Sequence, residues 1–228
     1  KWIVEKITQF LNFVKKSFSS TEKKVEETAK EVKKAPKETV FELTYNSSKT
    51  ESKEKPKENN ILYVKVPKEI LIKDENGELR LIERDDFKDL REFVKTLDSE
   101  KDNTSLREKV VKDIQAIGED DSFSQKLESD EVSIFLLQHV MSVVKELKTY
   151  TDDLDNYNKT LSVVPAKIAK ELNDNDIDNE TAENYTKLYN SIKNDIAFLS
   201  SYILKTYSAV DYVLKQLFDC FRLPSLSD

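Results

Sequence analysis

Three groups of side chains in this sequence are of the types that do chemistry. His139 is the only histidine and Cys220 the only cysteine. An imidazole beside a thiol is a base beside a nucleophile, and such a pair would support acyl transfer. The neighbours argue otherwise. His139 precedes Val140 in an apolar run, and Cys220 stands beside Phe221 and close to Phe218. The expectation is a packed core histidine and an inert thiol. The third group is Asp174, Asp176 and Asp178, spaced like the opening ligands of a calcium loop. Asn179 then stands where that loop needs glycine, and Tyr185 where it needs a bidentate glutamate. A turn with acids at a helix N-terminus fits this run better.

The composition narrows the chemistry further. With Gly77 and Gly118 as the only glycines, there is no loop whose backbone N–H groups could cradle a phosphate. One cysteine rules out an intrachain disulfide, and one cysteine with one histidine rules out a Cys/His zinc site. The sequence therefore predicts a protein that is not an enzyme, without catalytic, cofactor or metal-binding residues.

Charge points away from nucleic acid. The net charge is −7 and the pI about 5.1, the wrong sign for contacts to a phosphate backbone. Residues 1–20 carry four lysines and one glutamate, a local charge of +3. Residues 21–60 carry +1, so 61–228 hold −11.

The elements that would position any surface are helical. A Gly-poor chain with 36% charged residues propagates helix well. Over 130–223 the apolar residues step by alternating fours and threes. One run is Val132, Leu136, Val140, Val143, Leu147, Tyr150, Leu154, Tyr157, Leu161, Val164, Ile168 and Leu172. The other is Tyr185, Tyr189, Ile192, Ile196, Leu199, Ile203, Tyr207, Val210, Leu214, Leu217 and Phe221. These are two coiled-coil seams joined by the acidic turn, and they predict a long antiparallel helical hairpin. Pro165 should break the outgoing arm, with Ser162 or Val164 starting a second piece.

Upstream, residues 1–36 form a first block, a basic amphipathic helix that becomes a solvated, charged spacer beyond Thr21 and ends at Pro36. Residues 37–84 form a second block, a small antiparallel β element interrupted by a polar, flexible linker at 46–60. Its candidate strands are 40–45, 61–66, 70–73 and 79–82, with Asn76-Gly77 as the hairpin turn between the last two. Residues 85–228 form a helical domain. Asp85 or Asp86 would cap a helix over 87–97, Ser105 and Glu108 would form a capping box, and Gly118 would close that second helix. The fold class is thus mainly α, a coiled-coil-like bundle with a small antiparallel β element.

Two surfaces are candidates for function. Trp2, Ile3, Phe10 and Phe18 give the first helix an apolar face rimmed by lysine, suited either to packing or to an anionic membrane surface. Tyr202, Tyr207, Tyr212, Phe218 and Phe221 make an aromatic stripe suited to a protein partner. The functional expectation is a helical interaction or scaffold protein, associated with a membrane or cell envelope. It would bind another protein or itself through helical surfaces. The alternatives are a structural subunit of a large assembly, of virion or secretion-apparatus type, and an exported surface protein that binds a host or partner protein. The start at Lys1 rather than Met suggests a processed or truncated chain, which favours the envelope or an exported location.

Overall fold

A computed structural model describes residues 2–34, 37–46, 61–97 and 103–222. The chain is mostly helical with few strands, as its composition predicts. Helix α1 spans Trp2–Val32. Strands β1 (Val40–Tyr45), β2 (Ile61–Lys65), β3 (Leu71–Lys73) and β4 (Leu79–Leu81) follow. Then come α2 (Lys88–Lys95), α3 (Thr104–Gln115), β5 (Phe123–Glu128), α4 (Ser129–Ile134), a π-helical turn (Phe135–Val140), α5 (Met141–Leu161), α6 (Val164–Asn173) and α7 (Asn179–Arg222).

Local chemistry sets most of the boundaries. Pro165 lies in the first turn of α6, where its missing N–H breaks no helical bond, and Val163 takes the N-cap position. Helix α7 starts where Asp178 Oδ1 accepts the Thr181 N–H at 2.8 Å, and it runs 44 residues with no glycine or proline to stop it. The β3–β4 turn holds Gly77 at φ +81°. In the same turn Asp74 Oδ1 accepts the N–H groups of Asn76 (2.8 Å) and Glu78 (2.9 Å).

Other expected caps are put to different use. Asp86 grips the Arg80 guanidinium through both oxygens, at 2.7 and 2.8 Å, and does not cap a helix. A 3₁₀ turn at Arg84–Phe87 leads into α2 instead. Helix α3 begins at Thr104, so Ser105 lies inside its first turn. Gly118 lies beyond the end of α3 without a left-handed φ, and its N–H donates to Asp121 Oδ2 at 2.6 Å.

The sheet departs from the expected antiparallel element. Its order is β2-β1-β5: β1 pairs with β2 in parallel, Val40 opposite Ile61, and with β5 antiparallel, Val40 opposite Glu128. Strand β5 comes from the acidic connector, where only Phe123 and Leu127 are buried, too sparse an alternation to read as a strand. A parallel pair needs a connection of about a dozen residues or more, and the polar stretch 46–60 supplies one. The linker expected at 46–60 lies, from residue 47 on, outside the described residues. Strands β3 and β4 form a separate two-stranded hairpin. At the edge, the Gln216 amide accepts the Lys65 N–H (2.9 Å) and donates to its carbonyl (2.8 Å), which satisfies backbone groups an edge strand leaves open.

Two compact units divide the chain, with boundaries that fall inside α1, α3, α5 and α7. The first comprises Lys1–Ser17, Phe87–Val110 and Leu147–Leu204. Its core holds Leu11 and Val14 of α1, Phe93 of α2, Leu147 and Leu154 of α5, and Ile196 and Leu199 of α7. Phe93 lies 6.2 Å from Phe198, ring centroid to centroid. Asp195, 2% exposed, accepts from Asn103 Nδ2 (2.9 Å) and Arg107 Nε (2.7 Å), which ties the start of α3 to α7.

The second unit comprises Phe18–Asp86, Val111–Glu146 and Lys205–Asp228. Its core holds Phe18, Val25 and Val32, Phe41 and Leu43, Val132 and Leu136, and Leu214 and Leu217. The spacer expected beyond Thr21 is in fact a packed helix face. Thr21, Val25, Thr28, Ala29 and Val32 are all buried, a stripe of small residues at helical spacing that low hydropathy disguised. Ser133 Oγ donates to the Ala29 carbonyl at 3.3 Å across this contact.

The residues expected to matter most for packing, Val132, Leu136, Val140, Leu147, Ile192, Ile196, Leu199, Ile203, Val210 and Leu217, are all buried. Ile196→Ala removes apolar volume from a site with 0% exposure. It should cost about 2–5 kcal/mol in a denaturant titration. A midpoint no lower than that of a surface substitution would count against this core.

Candidate functional site

The apolar stripe that the sequence marks out is not covered evenly within the first unit. On α5 and α7 it is buried at Leu147, Leu154 and Leu161, and at Ile192, Ile196 and Leu199. From Val164 to Tyr185 the cover is partial, although Ala182 and Tyr189 on α7 stay buried. Val164, Ile168 and Leu172 on α6 are half-buried, α6 contributes no buried residue, and Tyr185 on α7 is 45% exposed. Two grooves open here, each lined by both α6 and α7. One, of about 800 Å³, is lined by Pro165, Ile168, Leu172, Ala182, Thr186 and Tyr189. The other, of about 360 Å³, is lined by Leu161, Val164, Ile168, Tyr185, Leu188 and Ile192. Concave apolar surface between helices is where binding sites form.

Backbone hydrogen bonds close the turn that joins these helices. The Asp174 N–H donates to the Lys170 carbonyl at 2.9 Å and the Asp176 N–H to the Glu171 carbonyl at 2.8 Å. Asn175 adopts φ 57°, which asparagine tolerates. Among the described residues no three His, Cys, Asp or Glu side chains gather as metal ligands do.

His139 lies in the π-helical turn of the second unit. Its ring stacks on Phe135, centroids 5.0 Å apart, and hydrogen-bonds the Ile82 carbonyl. It borders a cavity of about 20 Å³ lined by Leu43, Val66, Val140, Val210 and Leu214, room for about one water. Burial holds its imidazole below the usual histidine range, despite the carboxylates of Glu83 and Asp86. Cys220 is half-buried, and burial pushes its thiol up, away from the reactive thiolate.

The two surfaces expected from sequence are placed differently. Tyr207 is buried, edge-on to Phe18 with centroids 4.7 Å apart, and its hydroxyl makes a short hydrogen bond with Thr21 Oγ1. Tyr202 and Phe218 are half-buried and Tyr212 is 46% exposed. The side chain of Phe221 lies outside the described residues. The aromatic stripe is thus not one exposed patch, because Tyr207 faces inward. On α1, Ile7, Leu11 and Val14 are buried in the first unit and Phe18 in the second. Phe18 is therefore a core residue rather than a lipid-facing one. Phe10 is half-buried, Phe13 is 64% exposed, and the side chains of Trp2 and Ile3 lie outside the described residues. Among the described residues no helix is long and apolar enough to cross a membrane.

Polar contacts fasten α1 to α5 within the first unit. Asn158 Nδ2 donates to Thr8 Oγ1 at 2.8 Å. Lys15 Nζ reaches Asp155 at 2.6 Å and Asp152 at 3.1 Å, and Lys159 reaches Asp155 at 2.7 Å. Burial pushes the Asp155 carboxyl up, but the Lys15 and Lys159 ammonium groups outweigh it and hold the carboxyl below the usual range.

The exposed residues of α6 and α7 were assigned by their spacing to the seam. The signal for their exposure was Pro165, which leaves α6 a short helix. No protein-family model, curated protein or solved structure matches the chain.

Two outcomes test these placements. The Asp155 contribution is fully present above the unfolded carboxyl value of about 3.9 and is lost as pH falls through the lower folded value. Unfolding midpoints followed below about pH 5 should fall more steeply for the parent chain than for Asp155→Asn. Equal slopes would remove the linkage. Phe18→Ala should cost about 3–5 kcal/mol, as for a buried aromatic. A lipid-facing residue would leave the midpoint in solution unchanged.

Proposed function

We propose that the chain is a non-enzymatic interaction or scaffold protein, and that α6 with the first turns of α7 is its docking surface. The observation that carries this reading is the run of Val164, Ile168, Leu172 and Tyr185, which continues a buried stripe yet stays half-buried or exposed beside two grooves. An apolar stripe left open on a helix pair is a surface that a partner completes. We read α5 with α6 and α7 as the two arms of one antiparallel hairpin, with the docking surface at its tip. The buried positions on both arms and the grooves lined by α6 and α7 support that arrangement. A structural subunit of a larger assembly would use the same surface.

A photo-reactive residue in place of Tyr185 tests the proposal in an extract of the source cell. Discrete covalent adducts are expected, and Ile168→Glu with Leu172→Glu should abolish them. These side chains are half-buried, so the variant should lose some stability, and circular dichroism should show it as helical as the parent chain. Phe13→Glu, at another exposed apolar position, should leave the adducts intact. Adducts that persist in the Ile168→Glu, Leu172→Glu chain would overturn the assignment.

A further inference from the structure

We propose that the outer flank of the first half of α1 rests on an anionic lipid surface. The fold divides the apolar residues of this helix into two sets. Ile7, Leu11 and Val14 are buried in the first unit and Phe18 in the second. At about 100° per residue, the helical register sets Trp2, Ile3, Lys6, Phe10 and Phe13 on another flank, an arc of about 100° that borders the packed stripe. Phe10 is half-buried there and Phe13 is 64% exposed.

Packing in the first unit uses the other side of the helix. Thr8 and Lys15, which hydrogen-bond Asn158 and Asp155 of α5, stand across the packed stripe from this flank. Helix α5 is therefore fastened to α1 on the side away from Phe13. The flank carries more apolar surface than the contacts of α1 with α5 require.

Charge selects lipid as the partner. Residues 1–20 carry +3 in a chain whose net charge is −7. Lys15 takes no part in that excess, because Lys15 and Lys159 balance Asp152 and Asp155. Lys6 stands within the flank and the exposed Lys16 at its solvent edge. The one acid of residues 1–20, Glu5, lies further round, outside the arc. Aromatic rings interleaved with lysine match the headgroup region of a bilayer, where rings sit at the interface and ammonium groups meet lipid phosphate. Among the described residues no helix is long and apolar enough to cross a membrane, so this contact runs along the surface.

Trp2 is the only tryptophan, so fluorescence of the full chain reports on this flank. Vesicles of phosphatidylcholine mixed with phosphatidylserine should shift its emission to shorter wavelength, and added salt should reverse the shift. Phosphatidylcholine alone should leave the emission unchanged. In vesicle flotation, Phe13→Ser and Lys16→Glu should each weaken binding by at least about fivefold. Both side chains are exposed, so circular dichroism should show unchanged helix. Lys33→Glu makes the same change of charge at an exposed lysine just beyond α1, more than a screening length away, and should weaken binding by less than about twofold. A parent chain that binds neither vesicle overturns the proposal, and so does equal binding to both. Phe13→Ser or Lys16→Glu binding like the parent overturns it too. A loss in Lys33→Glu as large as in Lys16→Glu would also overturn it, because the attraction would then belong to the chain as a whole. Among the described residues α1 lines neither groove between α6 and α7, so either surface can fail alone.

Discussion

One apolar stripe on a single helix governs the rest of the structure. Helix α7 runs 44 residues, and along it Ala182, Tyr189, Ile192, Ile196, Leu199, Ile203, Tyr207, Val210, Leu214 and Leu217 are buried. Transferring that much apolar surface from water is the largest favourable term available, and something must lie over each part of it. In the first unit Phe93 of α2 and Arg107 of α3 meet Phe198 of α7. In the second, Phe18 and Thr21 of α1 meet Tyr207, and the sheet edge meets Gln216. The short helices and few strands make sense as covers. A hairpin of two short strands, or a helix of two or three turns, is marginal alone and gains stability by packing.

Hydrophobic cover by itself tolerates sliding, and the buried polar contacts remove that freedom. Asp195 ties α7 to Asn103 and Arg107, Asp155 ties α5 to Lys15, and Glu42 in the middle of β1 accepts from Ser124 Oγ of β5 at 2.7 Å. A carboxylate moved out of water is costly unless its partners are in place, so each of these contacts penalises a shifted register more than an apolar contact would. Each joins residues distant in sequence, and each selects one alignment of its elements.

The candidate interaction surface follows from the same constraint at the point where it is not met. Along α6 and the first turns of α7 the stripe continues, but among the described residues no side chain of α1, α2 or α3 lines either groove. Apolar groups left open beside a proline break are tolerable when a partner removes them from water. Burial holds the His139 imidazole below the usual histidine range and pushes the Cys220 thiol up.

By itself the sequence determined what depends on near neighbours. The apolar spacing of α5 and α7, the break at Pro165, the cap at Asp178 and the Asn76-Gly77 turn are all local consequences of backbone geometry and short-range hydrogen bonding. Only the tertiary structure decided which surfaces meet. Strand β1 takes β2 in parallel and β5 antiparallel because its two edges need hydrogen-bond partners, and no local pattern names them. The stripe of Thr21, Val25, Thr28, Ala29 and Val32 is buried because neighbouring elements approach it closely, although its composition reads as solvated. Asp86 lies inside a 3₁₀ turn, where its carboxylate binds Arg80, brought near by the β3–β4 hairpin, together with the Glu83 N–H. Periodicity states which face of a helix is apolar. It does not state whether another element reaches that face, and for this reason Leu154 and Leu172, alike in their seam, end as core and surface.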